Sequence, residues 1–432
     1  MSEQNSTILN VLQQQFADLE AKMNGTTNSE AHLVRKSAFE AVKTNGLPSR
    51  KNEEYRYTPL AKQLEQEFAD FTVNPEIDAE TTCPKQLPDL SGSFIVFVNG
   101  VFNNELSHKL KQIGVKITIS TSQQELMKNS PVSEPSADVF SGLNLALASS
   151  GSKIIIEKGA VIENPINIIH ISNTEKGKVM TTSRHEVIIG ENAQAMITEV
   201  FVSTGGNASF TNSAMEVSVG SHGILNHYKV GLDNDSDLRI DNSCFTQHSN
   251  SVLNTVNVNF GGKLVRNNLN IALEGEYCET NLDGLYIPTA EGNIDNHTVV
   301  DHKMPNSNSN ELYKGIMGDH ATGVFNGKVF VRADAQKTNA FQSNKNILLA
   351  DTATINTKPQ LEIWADDVKC THGCTTGQMD KEQLFYLRTR GIDKESAQKL
   401  LLKAFAEEVI EKIKDDTLRA RVSAILDDNL NR

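Results

Sequence analysis

Several absences narrow the reading of this 432-residue chain. No window approaches the roughly 18 to 20 consecutive apolar residues that a membrane-spanning helix requires, so no membrane association is expected. The N-terminal stretch MSEQNSTILNVLQQQFADLE places Gln and Asn where a secretory signal needs an apolar run. Cysteine is scarce: Cys83, Cys244, Cys278, Cys370 and Cys374 are odd in number and widely spread. That pattern excludes a small disulfide-stapled domain and fits reduced thiols, so the expected location is cytoplasmic. Positive charge is in deficit, with 41 Lys and Arg against 54 Asp and Glu and a net charge of −13. Such a surface repels phosphate backbones, so nucleic acid is not an expected partner, whereas a basic protein surface could be. Gly-Lys pairs at 177–178, 262–263 and 327–328 lack the following Ser or Thr of a Walker A loop. Neither a G-x-S-x-G elbow nor a dinucleotide fingerprint after a strand is present.

What remains is the composition of an ordered globular chain, 38% hydrophobic with only 11 prolines. The N-terminal segment, 1–70, reads as helical: Ile8, Val11, Leu12, Phe16 and Leu19 recur at spacings of three and four. Ala31, Val34, Ala38, Phe39 and Val42 repeat the pattern until Gly46 and Pro48. Residues 75–91 read as a linker and SPVSEPSADVF as a loop. FIVFVNGVFNNEL reads as two strands about a turn at Asn99 and Gly100, and KITI as a further strand. From about 152 to 365, two-residue alternation recurs, as in Met215, Val217, Val219, then Val256, Val258, Phe260, then Leu269, Ile271, Leu273. Strand-like stretches return at intervals of roughly 10 to 14 positions, which leaves no room for crossover helices, so this region is all-β. A sandwich and a solenoid both fit. The solenoid is favoured by the length of the region, by the scarcity of proline between 166 and 287, and by the 12 Asn in residues 251–310. Asn tolerates left-handed turns and can stack its amides along parallel coils. No fixed repeat length emerges. The C-terminal end returns to helix, with Asp380 and Asp393 as caps, Gly391 as a stop, and Ala397, Leu400, Leu401, Ala404, Phe405 and Ile410 as the apolar face of the longer helix.

The sharpest local signal is KCTHGCTTG at 369–377. In an extended strand Cys370, His372 and Cys374 point to one side, and thiolates with an imidazole suit zinc, ferrous iron or an iron–sulfur cluster. Three ligands do not close a tetrahedral site, so the set is either completed by a second subunit or is two free cysteines beside a hydrogen-bonded histidine. Gly373 could interrupt the strand. His297, Asp301 and His302, and Asp319 with His320, are weaker metal candidates that read as turn or solvent-facing groups, and Cys244 and Cys278 read as small core residues. Asp366–Asp367 could serve acid–base chemistry or simply end a strand.

The segments KPQLEI, ADDVKC, THG and LFYLRTRGI, all within residues 302–411, resemble the SufD family of the SUF iron–sulfur cluster assembly machinery. SRKNEEYRYTPL at 49–60 resembles the family's N-terminal signature. The resemblance implies a mainly β fold, a right-handed parallel β-helix core over 151–378, flanked by an N-terminal helical and mixed region with linker (1–150) and a C-terminal helical region (379–432). It implies a non-catalytic scaffold that pairs with a SufB-like paralogue and docks the SufC ATPase, which would explain the missing Walker A loop. Cys370 and His372 would lie at the shared interface where a transient iron or nascent cluster forms. Cys374 departs from the family, which has a small residue there. Leu400, Leu401 and Phe405 would contribute to SufC docking. A homodimer in isolation is compatible with the family, and flavin involvement is left open. A SufB-like assignment fits less well, because that paralogue is longer and carries N-terminal cysteine motifs, whereas Cys244 is the first cysteine after Cys83 here. The remaining alternative is a β-helix carbohydrate-active enzyme.

Overall fold

The computed structural model describes residues 7–21, 29–72, 90–108, 112–120 and 138–431. Nearly all of the expected linker at 75–91, the stretch SPVSEPS and Cys83 lie outside the described residues. Nineteen strands occur among the described residues. They are β1 (Ser93–Val98), β2 (Val101–His108), β3 (Val115–Ser120), β4 (Ser150–Ile156), β5 (Ile166–Asn173), β6 (Val179–Ile189), β7 (Gln194–Thr204), β8 (Ser209–Val219), β9 (Ile224–Asp233) and β10 (Leu238–Gln247). The remainder are β11 (Val252–Gly261), β12 (Leu264–Leu273), β13 (Glu279–Ile287), β14 (Asn293–His302), β15 (Asn308–Met317), β16 (Thr322–Val331), β17 (Asn339–Leu348), β18 (Thr354–Ile363) and β19 (Lys369–Gly377).

From β4 onward, successive strands alternate between two sheets, odd-numbered in one and even-numbered in the other. Same-sheet neighbours are parallel, so the chain winds as a solenoid of about eight turns. The missing sequence repeat has a simple cause, which is that coil length varies at the corners. Leu238 lies opposite Leu264, whereas Thr322 lies opposite Thr354, so the later coil is the longer one. One corner of successive coils is turned by a left-handed residue, at Asn192, His222, Asn250, Tyr277, Asn306 and Lys337. Three of the six are Asn, whose short polar side chain tolerates that conformation. Asparagine also stacks between coils: Asn254, Asn281 and Asn310 each donate from Nδ2 to the Oδ1 of the preceding rung, at 3.0, 2.9 and 3.3 Å, starting from Asn226.

Each sheet is covered on its outer side. Helices Thr7–Ala21, Glu30–Asn45 and Leu60–Phe68 bury Ile8, Leu12, Phe16 and Phe39 in one cluster with Phe210 and Leu238 of the even-numbered sheet. Helices Lys394–Ile410 and Asp416–Leu430 bury Leu402, Val409, Ile410 and Leu418 in one cluster with Val256 and Val258 of the odd-numbered sheet. Fully burying one such side chain is worth roughly 1.5–3 kcal/mol. On β11 this inverts the simplest reading of the alternation. Val256, Val258 and Phe260 share the outward face of β11, whereas Thr255, Asn257 and Asn259 fill the solenoid interior. The interior also holds Lys229 between Asp241 and Glu199, and Arg239 bridging Asp233 and Asp241.

Two segments read differently from the sequence. SPVSEPSADVF, expected as a loop, ends in helix: Asp138 accepts from the amides of Phe140 and Ser141 and caps Val139–Leu147. Leu400 and Ala404, expected on the packed face of Lys394–Ile410, point to solvent, and Leu402 and Ala406 are buried instead. The run of three leucines at 400–402 makes this helix apolar on more than one side, so spacing alone did not select the face.

Candidate functional site

β19 is continuous through Gly373, which pairs with Ser343 of β17. It is the last strand of the odd-numbered sheet, as β18 is of the even-numbered one. The Lys369 amide donates to the Thr338 carbonyl, so odd-numbered amides of β19 face β17, and those of Cys370, His372, Cys374 and Thr376 face outward along a free edge. On β18 the amides of Thr354 and Trp364 donate to Ala321 and Val331, which turns position 359 outward. Pro359 therefore stands where no backbone N–H is needed, as proline on an edge strand must.

The side chains of Cys370, His372 and Cys374 lie on the inward face, above Ala340, Gln342 and Asn344. Among the described residues no further coil covers them. Cys370 is half-buried beside Ala340, Val329 and Ala365, and burial pushes its thiol up from the ordinary value. His372 is exposed. Cys374 is exposed, with its Sγ 3.2 Å from Thr357 Oγ1 and 3.8 Å from Asn344 Oδ1. Alternate residues of a strand stand roughly 6.6 Å apart, so Cys370 and Cys374 are separated by roughly 13 Å and cannot share one ion. Among the described residues no group of three His, Cys, Asp or Glu converges on a metal position. Any ion or cluster held here needs ligands from outside the chain, while the edge leaves Cys370 and His372 reachable.

The segment 49–60 forms a second cluster, on the outer face of the even-numbered sheet. The Arg266 guanidinium lies 4.0 Å over the Tyr55 ring and pairs with Asp295 at 2.8 Å, and the Thr58 hydroxyl donates to the same carboxylate. Glu54 takes Lys328 at 2.6 Å and His297 at 3.2 Å, and the hydrogen bond from His297, opposed by burial and aided by Lys328, holds its carboxyl at about 2. His297 thus lies within β14, paired with Glu54 and Asp295, and not in a loop. Asp301 and His302 are also in β14. His302 is buried 2.9 Å from the Ser309 hydroxyl, and burial lowers its pKa to about 4. Asp319 and His320 do sit in a turn. Cys278 is fully buried, whereas Cys244 is partly exposed. The Asp367 carbonyl takes the Lys337 amide at 2.6 Å, and its own amide donates to Gln336 at 3.0 Å, a corner-closing arrangement.

A groove of about 860 Å³ runs over the odd-numbered sheet to the same open end, lined by Asn281, Asp283, Phe341, Thr371 and Lys412 among others. Burial pushes the Asp283 carboxyl up to about 7. Phe385, on the short C-terminal helix Lys381–Thr389, is 69% exposed; on Lys394–Ile410 Leu400 is 49% exposed, while Leu401 and Phe405 are half-buried, with Lys314 Nζ 4.3 Å over the Phe405 ring. Sequence reasoning passed over Glu311 and Gln342, which lie beneath His372 in the same inward row. Only strand register could have found them.

Comparison with known proteins points the same way. Residues 170–405 match the family model for the SUF system FeS cluster assembly SufBD core domain, and residues 6–168 the SufBD protein N-terminal region. The iron–sulfur cluster assembly protein SufD of Escherichia coli is 33% identical over 88% of each chain. A SufBD family iron–sulfur cluster assembly protein of Synechocystis is 30% identical over 93% of this chain and 92% of its own. A chloroplastic protein of Arabidopsis thaliana is 29% identical over 93% and 87%. Two family models that together span nearly all of residues 6–405, and relatives matched over nearly nine-tenths or more of their length, leave one assignment: the chain belongs to the SufBD family of iron–sulfur cluster assembly proteins.

Proposed function

We propose that the chain is a non-catalytic, cytoplasmic scaffold subunit that pairs with a SufB-like paralogue through the open end of its solenoid and docks a SufC-type ATPase through its C-terminal helices. Cys370 and His372 help hold iron or sulfide while a cluster forms between the two solenoids, the cluster being cargo and not a resident cofactor. The observation carrying this reading is the free edge of β19, which exposes outward backbone amides and His372 along one line. Such an edge favours addition of a strand from another chain. The separation of the soft ligands supports a site completed across an interface. Exposed Phe385, Tyr386 and Leu400 support docking of a partner on the C-terminal helices, with half-buried Leu401 beside them and Phe405 shared between that contact and the chain's own core.

The test is co-purification with SufB- and SufC-type subunits, followed by iron and sulfide analysis. His372→Ala is expected to leave the complex assembled and remove most of its iron and sulfide. Full cluster content in that variant would defeat the site assignment, and failure of the unaltered chain to join the partners would defeat the scaffold role.

A further inference from the structure

We propose that Gln342 and Glu311 are positioning residues for His372, an amide and a carboxyl stacked beneath the imidazole that fix which ring nitrogen is presented at the open end. The inference rests on the reading of His372 given above.

Glu311, Gln342 and His372 occupy one inward row on β15, β17 and β19, each directly opposite the next. Neighbouring strands lie roughly 4.8 Å apart, so the three side chains stack as rungs. Gln342 Nε2 donates to Glu311 Oε2 at 2.8 Å. That bond directs the amide nitrogen to the lower rung and leaves Oε1 as an acceptor without a partner. Among the described residues Gln342 Oε1 is buried and has no hydrogen-bond partner. A buried acceptor left unmet costs roughly 1–3 kcal/mol, so a donor within reach will be drawn to it. On the rung above stands an imidazole.

Two further features show that the amide is held in place. Gln342 Nε2 lies only 2.3 Å from where a Cβ on Gly327 would stand, so this glycine is the cradle that admits the side chain. Glu311 is buried, and burial, opposed by its hydrogen bonds with Thr298 and Gln342, pushes its carboxyl up to about 7. An imidazole that donates one N–H to a fixed carbonyl is locked in one tautomer, with the lone pair of the other nitrogen free. Ligating histidines are commonly held by such an outer partner. Here the free lone pair would face the incoming chain.

The experiment uses the full chain with ¹⁵N-labelled histidine, the His372 ring being assigned by loss of its signals in His372→Ala. Long-range ¹⁵N–¹H correlations report the tautomer directly. The unaltered chain is expected to show a single His372 tautomer. Gln342→Met, which keeps length and removes the acceptor, should shift the tautomer ratio by about tenfold, as one hydrogen bond of ordinary net strength sustains. Gln342→Glu, which restores an acceptor, should return it. Glu311→Gln preserves volume and should move the ratio in the same direction as Gln342→Met by a smaller factor, keeping the test available if the methionine variant does not fold. A tautomer mixture in the unaltered chain, or a ratio unmoved in both lesions, overturns the proposal. A shifted ratio with undiminished cluster content in the co-purified complex upholds the positioning and counts against the cluster role of His372, so the two failures are distinguishable.

Discussion

At its first coil the solenoid is closed over. β1 lies parallel to β5 with β2 folded back on it, and β3 runs antiparallel to β4. The interior there is mostly apolar, with Ile95, Phe97, Ile154, Ile166 and Ile168 all buried and the His170 and His185 rings packed against Phe97. At its last coil no described strand pairs with the outer edge of β18 or β19, and the inward residues are Gln342, Asn344 and Asn346 below, then Cys370, His372 and Cys374. The edges differ as well. β2 is broken by a register shift and carries Glu105 and His108, devices that discourage strand addition. β19 pairs without a break along its whole length and carries a single charge, Lys369. One end is finished for stability. The other is left as a surface.

The largest expected effect sharpens that contrast. Phe97 is buried against His185 and Phe102, with ring centroids at 5.1 and 6.0 Å. Phe97→Ala should cost about 3–5 kcal/mol in urea unfolding of the isolated chain. His372→Ala, at the exposed end, removes at most one hydrogen bond and should cost no more than about 1.5 kcal/mol. Comparable losses from both would show that the open end is structural after all.

A smaller effect concerns pH. Asp283 has a folded-state pKa of about 7, raised by burial above that of an unfolded carboxyl, in the groove that opens beside Thr371. Below the unfolded value the group is neutral in both states and costs nothing. Between the two values the native state binds more protons, so stability falls as pH rises, by about 1.4 kcal/mol per pH step of one. Asp283→Asn should flatten the decline between about pH 4 and 7, measured by urea midpoints. An unchanged slope would mean that this carboxyl is met by solvent in the groove.

Much of this architecture was legible because it depends on local rules. Asn99 and Gly100 both turn with positive φ, Asp380 and Asp393 cap their helices, and alternation marked the strands. What the pattern could not say was which face looks inward. Val256 and Val258 alternate as cleanly as Leu269 and Ile271, yet the first pair lies under helices and the second fills the rod. Alternation reports two environments, and on a sheet covered on both sides either face can be the apolar one. Cys370, His372 and Cys374 were legible as a motif sharing one side of a strand, but a shared side does not make a shared site, since i and i+4 stand roughly 13 Å apart along a strand. Gln342 and Glu311 have no local signature. They meet His372 only through register across coils of unequal length.

The finest test of the open end sets two adjacent residues against each other. Thr375 and Thr376 are both exposed on β19, but by the alternation set at Lys369 the Thr375 amide faces β17 and the Thr376 amide faces the free edge. Proline removes the amide in either case. Thr375→Pro breaks a ladder hydrogen bond inside the chain and should cost about 1–3 kcal/mol in urea unfolding. Thr376→Pro removes an amide that meets no neighbouring strand, so the isolated chain should be within about 0.5 kcal/mol of the unaltered protein. If the paralogue adds its strand here, Thr376→Pro should nonetheless weaken the heterocomplex by about tenfold in a titration of one subunit with the other, because the lost amide belongs to the intermolecular ladder. Equal affinity of both forms would place the partner somewhere other than the edge of β19. The two substitutions thereby separate what holds the rod together from what extends it.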